Sequence, residues 1–105
     1  MNNETFTVTL RNENGNAVLD MKGDINAFAE KALNAAYAEA ESGSPEAVVL
    51  NFDRVHNINS TGIALIVGLL AKARVSRRSL IATNLTDHYR EIFTISRLSD
   101  FITIR

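Results

Sequence analysis

Cysteine is absent from the 105 residues, which excludes disulfides and thiolate metal sites. Histidine is nearly absent: His56 and His88 stand far apart, and two scattered imidazoles do not make a metal cluster. Long apolar runs are missing too. The longest, Ile63 to Ala71, is broken by Gly68 and falls well short of a bilayer span. A surplus of basic charge is lacking: the net charge is -1, whereas a nucleic-acid binder shows a basic stripe or patch. The opening residues, Met1-Asn2-Asn3-Glu4, have neither the basic nor the apolar region of a signal peptide. There is no Gly-x-Ser-x-Gly elbow and no Ser, His and acid constellation for a hydrolase. Gly62 and Gly68 are spaced for neither a phosphate-binding loop nor a dinucleotide motif. These absences lead us to expect a soluble, cytoplasmic protein that is not an enzyme and has no metal, cofactor, nucleic-acid partner or membrane insertion.

What is present suffices for one folded domain over residues 1–105. About half the residues, 46%, are hydrophobic, enough to bury a core without staples. Phe6, Val8 and Leu10 alternate with Thr5, Thr7 and Thr9, the pattern of a half-buried strand. Asn14-Gly15 marks a tight turn into a second strand, Ala17 to Lys22. Gly23-Asp24-Ile25-Asn26 reads as a loop, with Asn26 capping a helix from Ala27 to Glu41 whose apolar face is Phe28, Ala32, Ala35 and Ala36. Ser42-Gly43-Ser44-Pro45 ends it. The unalternating run Ala47 to Phe52 predicts a strand covered on both faces, followed by a polar loop, Asp53 to Asn59. A helix from Ser60 to Val75 is predicted with a core stripe of Ile63, Ile66, Val67 and Leu70, leaving Leu65, Leu69 and Gly68 on the other side; packing between elements is the favoured reading for Leu69. A strand over Leu80 to Ala82, a helix from Thr86 through Ile95 with Tyr89, Ile92 and Phe93 inward, and a short strand, Phe101 to Ile104, complete the order ββαβαβαβ. That order predicts an α/β fold, a mixed, mainly parallel sheet with helices packed on it. Arg74, Arg77 and Arg78 read as a solvated helix end, with contact to an acidic partner surface as the lesser alternative.

In such sheets partners meet the loops at the carboxyl ends of the strands. There lie Gly23-Asp24-Ile25-Asn26 and Ile58-Asn59-Ser60-Thr61-Gly62-Ile63. With Val48-Val49-Leu50-Asn51-Phe52 before them, and Asn84-Leu85-Thr86, Arg90-Glu91-Ile92-Phe93 and Leu98 after, the pattern resembles the STAS domains of bacterial anti-sigma factor antagonists and sulfate-transporter tails. The resemblance implies a partner-switching regulator. Such an antagonist binds an anti-sigma factor that is also a serine kinase. It is inactivated when the kinase phosphorylates the serine matching Ser60, and is reset by a metal-dependent serine phosphatase. Asp24, Asn26, Asn59, Ser60, Thr61, Gly62, Leu65 and Gly68 are the expected partner-binding residues. Gly62 would let a partner approach the backbone. Alternatives are an accessory subunit of a lipid-transport ABC complex, working without phosphorylation, or a scaffold subunit of a stress-signalling assembly. A plain N-cap is the alternative reading of Ser60, and Thr61 a lesser candidate acceptor.

Asn26, Asn51 and Asn59 stand where the family commonly has aspartate. All three belong to the loops or strand end expected around Ser60, where they lower the negative charge around a phosphate. One carboxylate ~6 Å from it would repel it by about 1 kcal/mol in a water-like dielectric. The alternative is that asparagine serves the hydrogen bonds of these turns.

Overall fold

The computed structural model describes residues 5–105; the Met1–Glu4 segment of the signal-peptide argument lies outside them. Strand β1 (Thr7–Glu13) turns at Asn14-Gly15 into β2 (Asn16–Ile25). Asn14 and Gly15 have φ of 53° and 86°, the left-handed pair that a two-residue hairpin requires. A 3-10 turn, Ala27–Ala29, leads into α1 (Glu30–Ser42), then β3 (Ala47–Ile58), α2 (Ser60–Val75), β4 (Ser79–Thr83), α3 (Asp87–Ile95) and β5 (Thr103–Ile104). The five strands lie side by side in chain order. Among the described strands only the β1–β2 pairing is antiparallel. No described helix is long and apolar enough to cross a membrane.

The core lies on one side of the sheet. Ala17, Leu19 and Met21 of β2, Val48, Leu50 and Phe52 of β3, and Leu80 and Ala82 of β4 pack with residues of all three helices. The alternate residues project the other way, and none of Val18, Asp20, Val49, Asn51, Ile81 or Thr83 joins that cluster. The run Ala47 to Phe52 is covered on its second face only in part: Ala47, Val18 and Ile81 are buried there, while Val49 and Asn51 are half-buried.

Two boundaries differ from the sequence reading, for one physical reason. β2 continues to Ile25 and β3 to Ile58, leaving only Asn26 and Asn59 of the segments read as loops, Gly23 to Asn26 and Asp53 to Asn59, outside the strands. Their register shifts twice, between Asp20 and Lys22 and between Gly23 and Asp24. Each shift places an extra β3 residue against β2, a β-bulge. Along β3 the buried positions accordingly become Phe52, Val55 and Ile58, every third residue rather than every second. A period of three imitates a polar loop.

The helix faces also shift. α1 buries Leu33, Tyr37 and Ala40 behind Ala29, while Phe28 is 88% exposed. In an alanine-rich helix, spacing alone ranks the faces poorly, and the larger Leu33 and Tyr37 decide because they bury more area. α2 buries Ile66, Leu69, Leu70 and Ala73. Leu69 is in the core as favoured, but Val67 is 45% exposed. Arg78 is no solvated helix end. Its guanidinium bonds Glu41 Oε1 at 2.8 and 3.0 Å and the Pro45 carbonyl, stapling the end of α1 to the start of β4. Burial penalises the Glu41 carboxylate, but bonds from Tyr37 and Arg78 outweigh this and hold its pKa below the usual range.

Candidate functional site

The connection from β3 to α2 is one residue long. Asn59, extended at φ -89° and ψ -177°, accepts from the Gly62 amide through its side chain at 2.8 Å. It is the N-cap, so Ser60 is the first helical residue and not the cap. The Ser60 hydroxyl has no hydrogen-bond partner among the described residues and stands exposed. Thr61 beside it is exposed as well.

This junction is fixed from three sides. The Asn59 amide donates to the Ile25 carbonyl at 3.3 Å, tying it to the end of β2. Gly62 lies against the same carbonyl: a Cβ built there would sit 2.0 Å from Ile25 O and 2.9 Å from Ile58 Cγ2. Glycine is thus required by internal packing. Gly62 is buried, so the lack of a side chain serves the helix start and not the approach of a partner. The third hold comes from α3. The Tyr89 hydroxyl accepts from the Ile58 amide at 2.8 Å and donates to Asn57 Oδ1 at 2.8 Å. Thr86 Oγ1 caps α3 by accepting from the Tyr89 amide at 3.3 Å. The sequence reading placed Tyr89 only in the apolar stripe of α3. The available signal was tyrosine at a buried position, whose hydroxyl needs a partner.

The structure brings most of the expected site residues to this end. Asn26 caps the 3-10 turn by accepting from the Phe28 amide at 2.9 Å, and Asp24 lies two residues earlier in β2. Along α2, Leu65 is half-buried against the core, whereas Gly68 is open, with no atom within 4 Å of a built Cβ.

Asn51 belongs elsewhere. Because β3 runs unbroken to Ile58, Asn51 is seven residues before the strand end, roughly 20 Å at about 3.3 Å per residue, and does not dilute charge around Ser60. Its amide donates to Asp20 Oδ1 at 2.8 Å, and its carbonyl oxygen accepts from the Asp53 amide at 3.1 Å and Asn84 Nδ2 at 2.8 Å. An aspartate could not donate the first bond. Asp20 also takes Arg11 Nε at 2.6 Å. The Arg11 guanidinium, aided by Asn51, holds the Asp20 carboxyl below the usual carboxylate range. Asn26 and Asn59, by contrast, use only acceptor oxygens, which aspartate would also supply.

Known proteins are similar to this chain over nearly its whole length. A family model described as "Mlab, STAS domain" matches residues 8–104. The anti-sigma-F factor antagonist RsfB of Mycobacterium tuberculosis is 27% identical over 88% of this chain and 85% of its own. An anti-sigma factor antagonist from Mycobacterium paratuberculosis superposes with a TM-score of 0.78 at 17% identity, covering 94% of this chain and 84% of that one. The Bacillus cell fate determinant SpoIIAA, solved in its phosphorylated form, gives 0.71 at 20% identity, covering 94% and 91%. With nearly its whole length matched, the chain belongs to the STAS domain family.

Proposed function

We propose that this STAS domain is an anti-sigma factor antagonist that binds an anti-sigma factor with serine-kinase activity and is released from it by phosphorylation at Ser60. The observation that carries the reading is the uncommitted Ser60 hydroxyl, exposed at the first position of α2 because Asn59 does the capping. The curated relative RsfB is named for the same activity, and SpoIIAA is a structural relative that exists in a phosphorylated form.

The position suits a reversible phosphate. A phosphoserine carries about -1.5 to -2 charges. At an exposed helix N-terminus an anion is favoured by about 0.3–1 kcal/mol. The modified domain therefore stays folded, and the phosphate acts on the partner by bulk and by repulsion of acidic surface. Asp24, Asn26, Asn59, Thr61, Leu65 and Gly68 complete the docking surface, with Gly62 positioning it from within. The chain is the substrate and the binder; a metal-dependent serine phosphatase resets it. Ser60→Asp tests this. It is expected to weaken binding to the cognate anti-sigma factor at least about tenfold, the scale of an interface hot spot, with Tm unchanged within a few degrees. Undiminished binding, or a large loss of Tm, contradicts the reading.

A further inference from the structure

Helix α2 is apolar on the side that faces away from the core. Ser60, Ala64, Val67, Ala71 and Arg74 share one helical face by their spacing, and all five are exposed; Val75, at its end, is 87% exposed. Where this face reaches the segment after α3, Val67, Leu70 and Ala71 meet Leu98 and Phe101 across a groove of about 370 Å³. Phe101 is 55% exposed, and the Arg74 guanidinium stands 5.3 Å from its ring centroid. The unpaired charge around it is positive. Arg74 and Arg77 have no carboxylate partner among the described residues, and Lys72 bonds only the neutral Asn34 Oδ1 at 3.0 Å. Arg97 is neutralised by Asp100 at 3.1 Å, as Arg78 is by Glu41. The dipole at the C-terminal end of α2 accounts for cations there, but not for solvent-facing Val67, Val75 and Phe101 beside them.

We infer that this groove is a second docking point for the protein partner that meets Ser60, and that it takes an acidic segment of that partner carrying a large apolar side chain. Apolar floor and unpaired cations together are complementary to carboxylates flanking an apolar anchor. The groove is open to solvent along its side, unlike the cavities that enclose small ligands, and it is continuous with Ser60 along a single helix face. The inference rests on the reading of Ser60 as a partner-contact site.

Arg74 lies about 21 Å along the helix from Ser60, at about 1.5 Å per residue. That is more than twice the Debye length of ~8 Å at physiological salt. A phosphate on Ser60 therefore leaves the groove contact in place. Phosphorylation breaks the Ser60 half of the interface, and the groove contact alone is too weak to prevent release.

The test is calorimetric titration of the full chain with its purified cognate kinase-type anti-sigma factor. Val67→Asp and Arg74→Glu, both surface changes, are each expected to weaken binding about tenfold. Arg54→Glu, beside Asp20 and Asn51 in a separate hollow, should change it less than about twofold. Effects of Ser60→Asp and Val67→Asp should multiply, as for separate sites. Added salt should weaken the wild type more than Arg74→Glu. Groove variants that bind like wild type while Ser60→Asp is impaired overturn this inference alone. A wild type that binds no anti-sigma factor overturns the Ser60 reading and this inference with it.

Discussion

The Tyr89 hydroxyl accepts a hydrogen bond from the Ile58 amide at 2.8 Å, so the last residue of β3 is held by α3 one step before the helix that carries Ser60. Tyr89 is 9% exposed. Tyr89→Phe keeps the ring and orphans a buried amide, which costs about 1–3 kcal/mol. The expected result in urea denaturation is a loss in that range. Amide exchange should also quicken at Ile58 and Asn59 more than in the centre of β3. Uniform quickening would mean that Tyr89 contributes to global packing only.

The two glycines of α2 should respond oppositely to alanine. At Gly62 the added methyl would meet the Ile25 carbonyl at 2.0 Å, and overpacking of this kind costs about 1–3 kcal/mol or more. At Gly68 it meets open space, and alanine gains up to about 1 kcal/mol of helix propensity. Thermal melts of the two variants should therefore move in opposite directions.

Asn51→Asp turns a donor into a second carboxylate facing Asp20. The variant should lose stability at neutral pH and recover part of it as the pH falls toward 4, where one of the two carboxyls takes a proton. In the wild type the sign is reversed. The native pKa of Asp20 is below its ordinary 3.8, so its contribution is present above that value and is lost as the pH falls through the lower native one. Urea midpoints measured from pH 3 to 7 should diverge at the top of the range and converge at the bottom.

Asn59→Asp preserves the acceptor that caps α2, and a carboxylate also suits the helix dipole. Stability should hold within about 0.5 kcal/mol. The change appears instead in the switch: with one kinase–phosphatase pair, the rates of phosphorylation and dephosphorylation at Ser60 should differ from those of wild type. Unchanged rates would show that charge at this position does not tune the phosphate.

The element order and the helix start at Ser60 were legible because local signals agreed there: Asn14-Gly15 for the hairpin, the break after Ser42, and caps at Asn26 and Thr86. The length of β3 was not. Its bulges convert alternation into a period of three at Phe52, Val55 and Ile58, and bulges are set by pairing with a strand distant in sequence. The same misreading brought Asn51 into the neighbourhood of Ser60. Asn59 was read as part of a loop, and Ser60 as its possible cap; the two adjacent polar residues have equal claims by sequence, and only the backbone turn decides between them. The exposed apolar side of α2 is read from the sequence around Leu65 and Gly68, with Val67 in the core stripe, whereas Val67 is exposed; a helix apolar all round carries little directional signal.

The central claim is that the Ser60 hydroxyl is free to accept a phosphate. Incubation with the cognate kinase-type anti-sigma factor and ATP, read by intact mass, tests it most directly. The account predicts a gain of about 80 Da, one phosphoryl group, in the wild type and none in Ser60→Ala. A wild type that never gains it, or a Ser60→Ala variant that still does, contradicts the account.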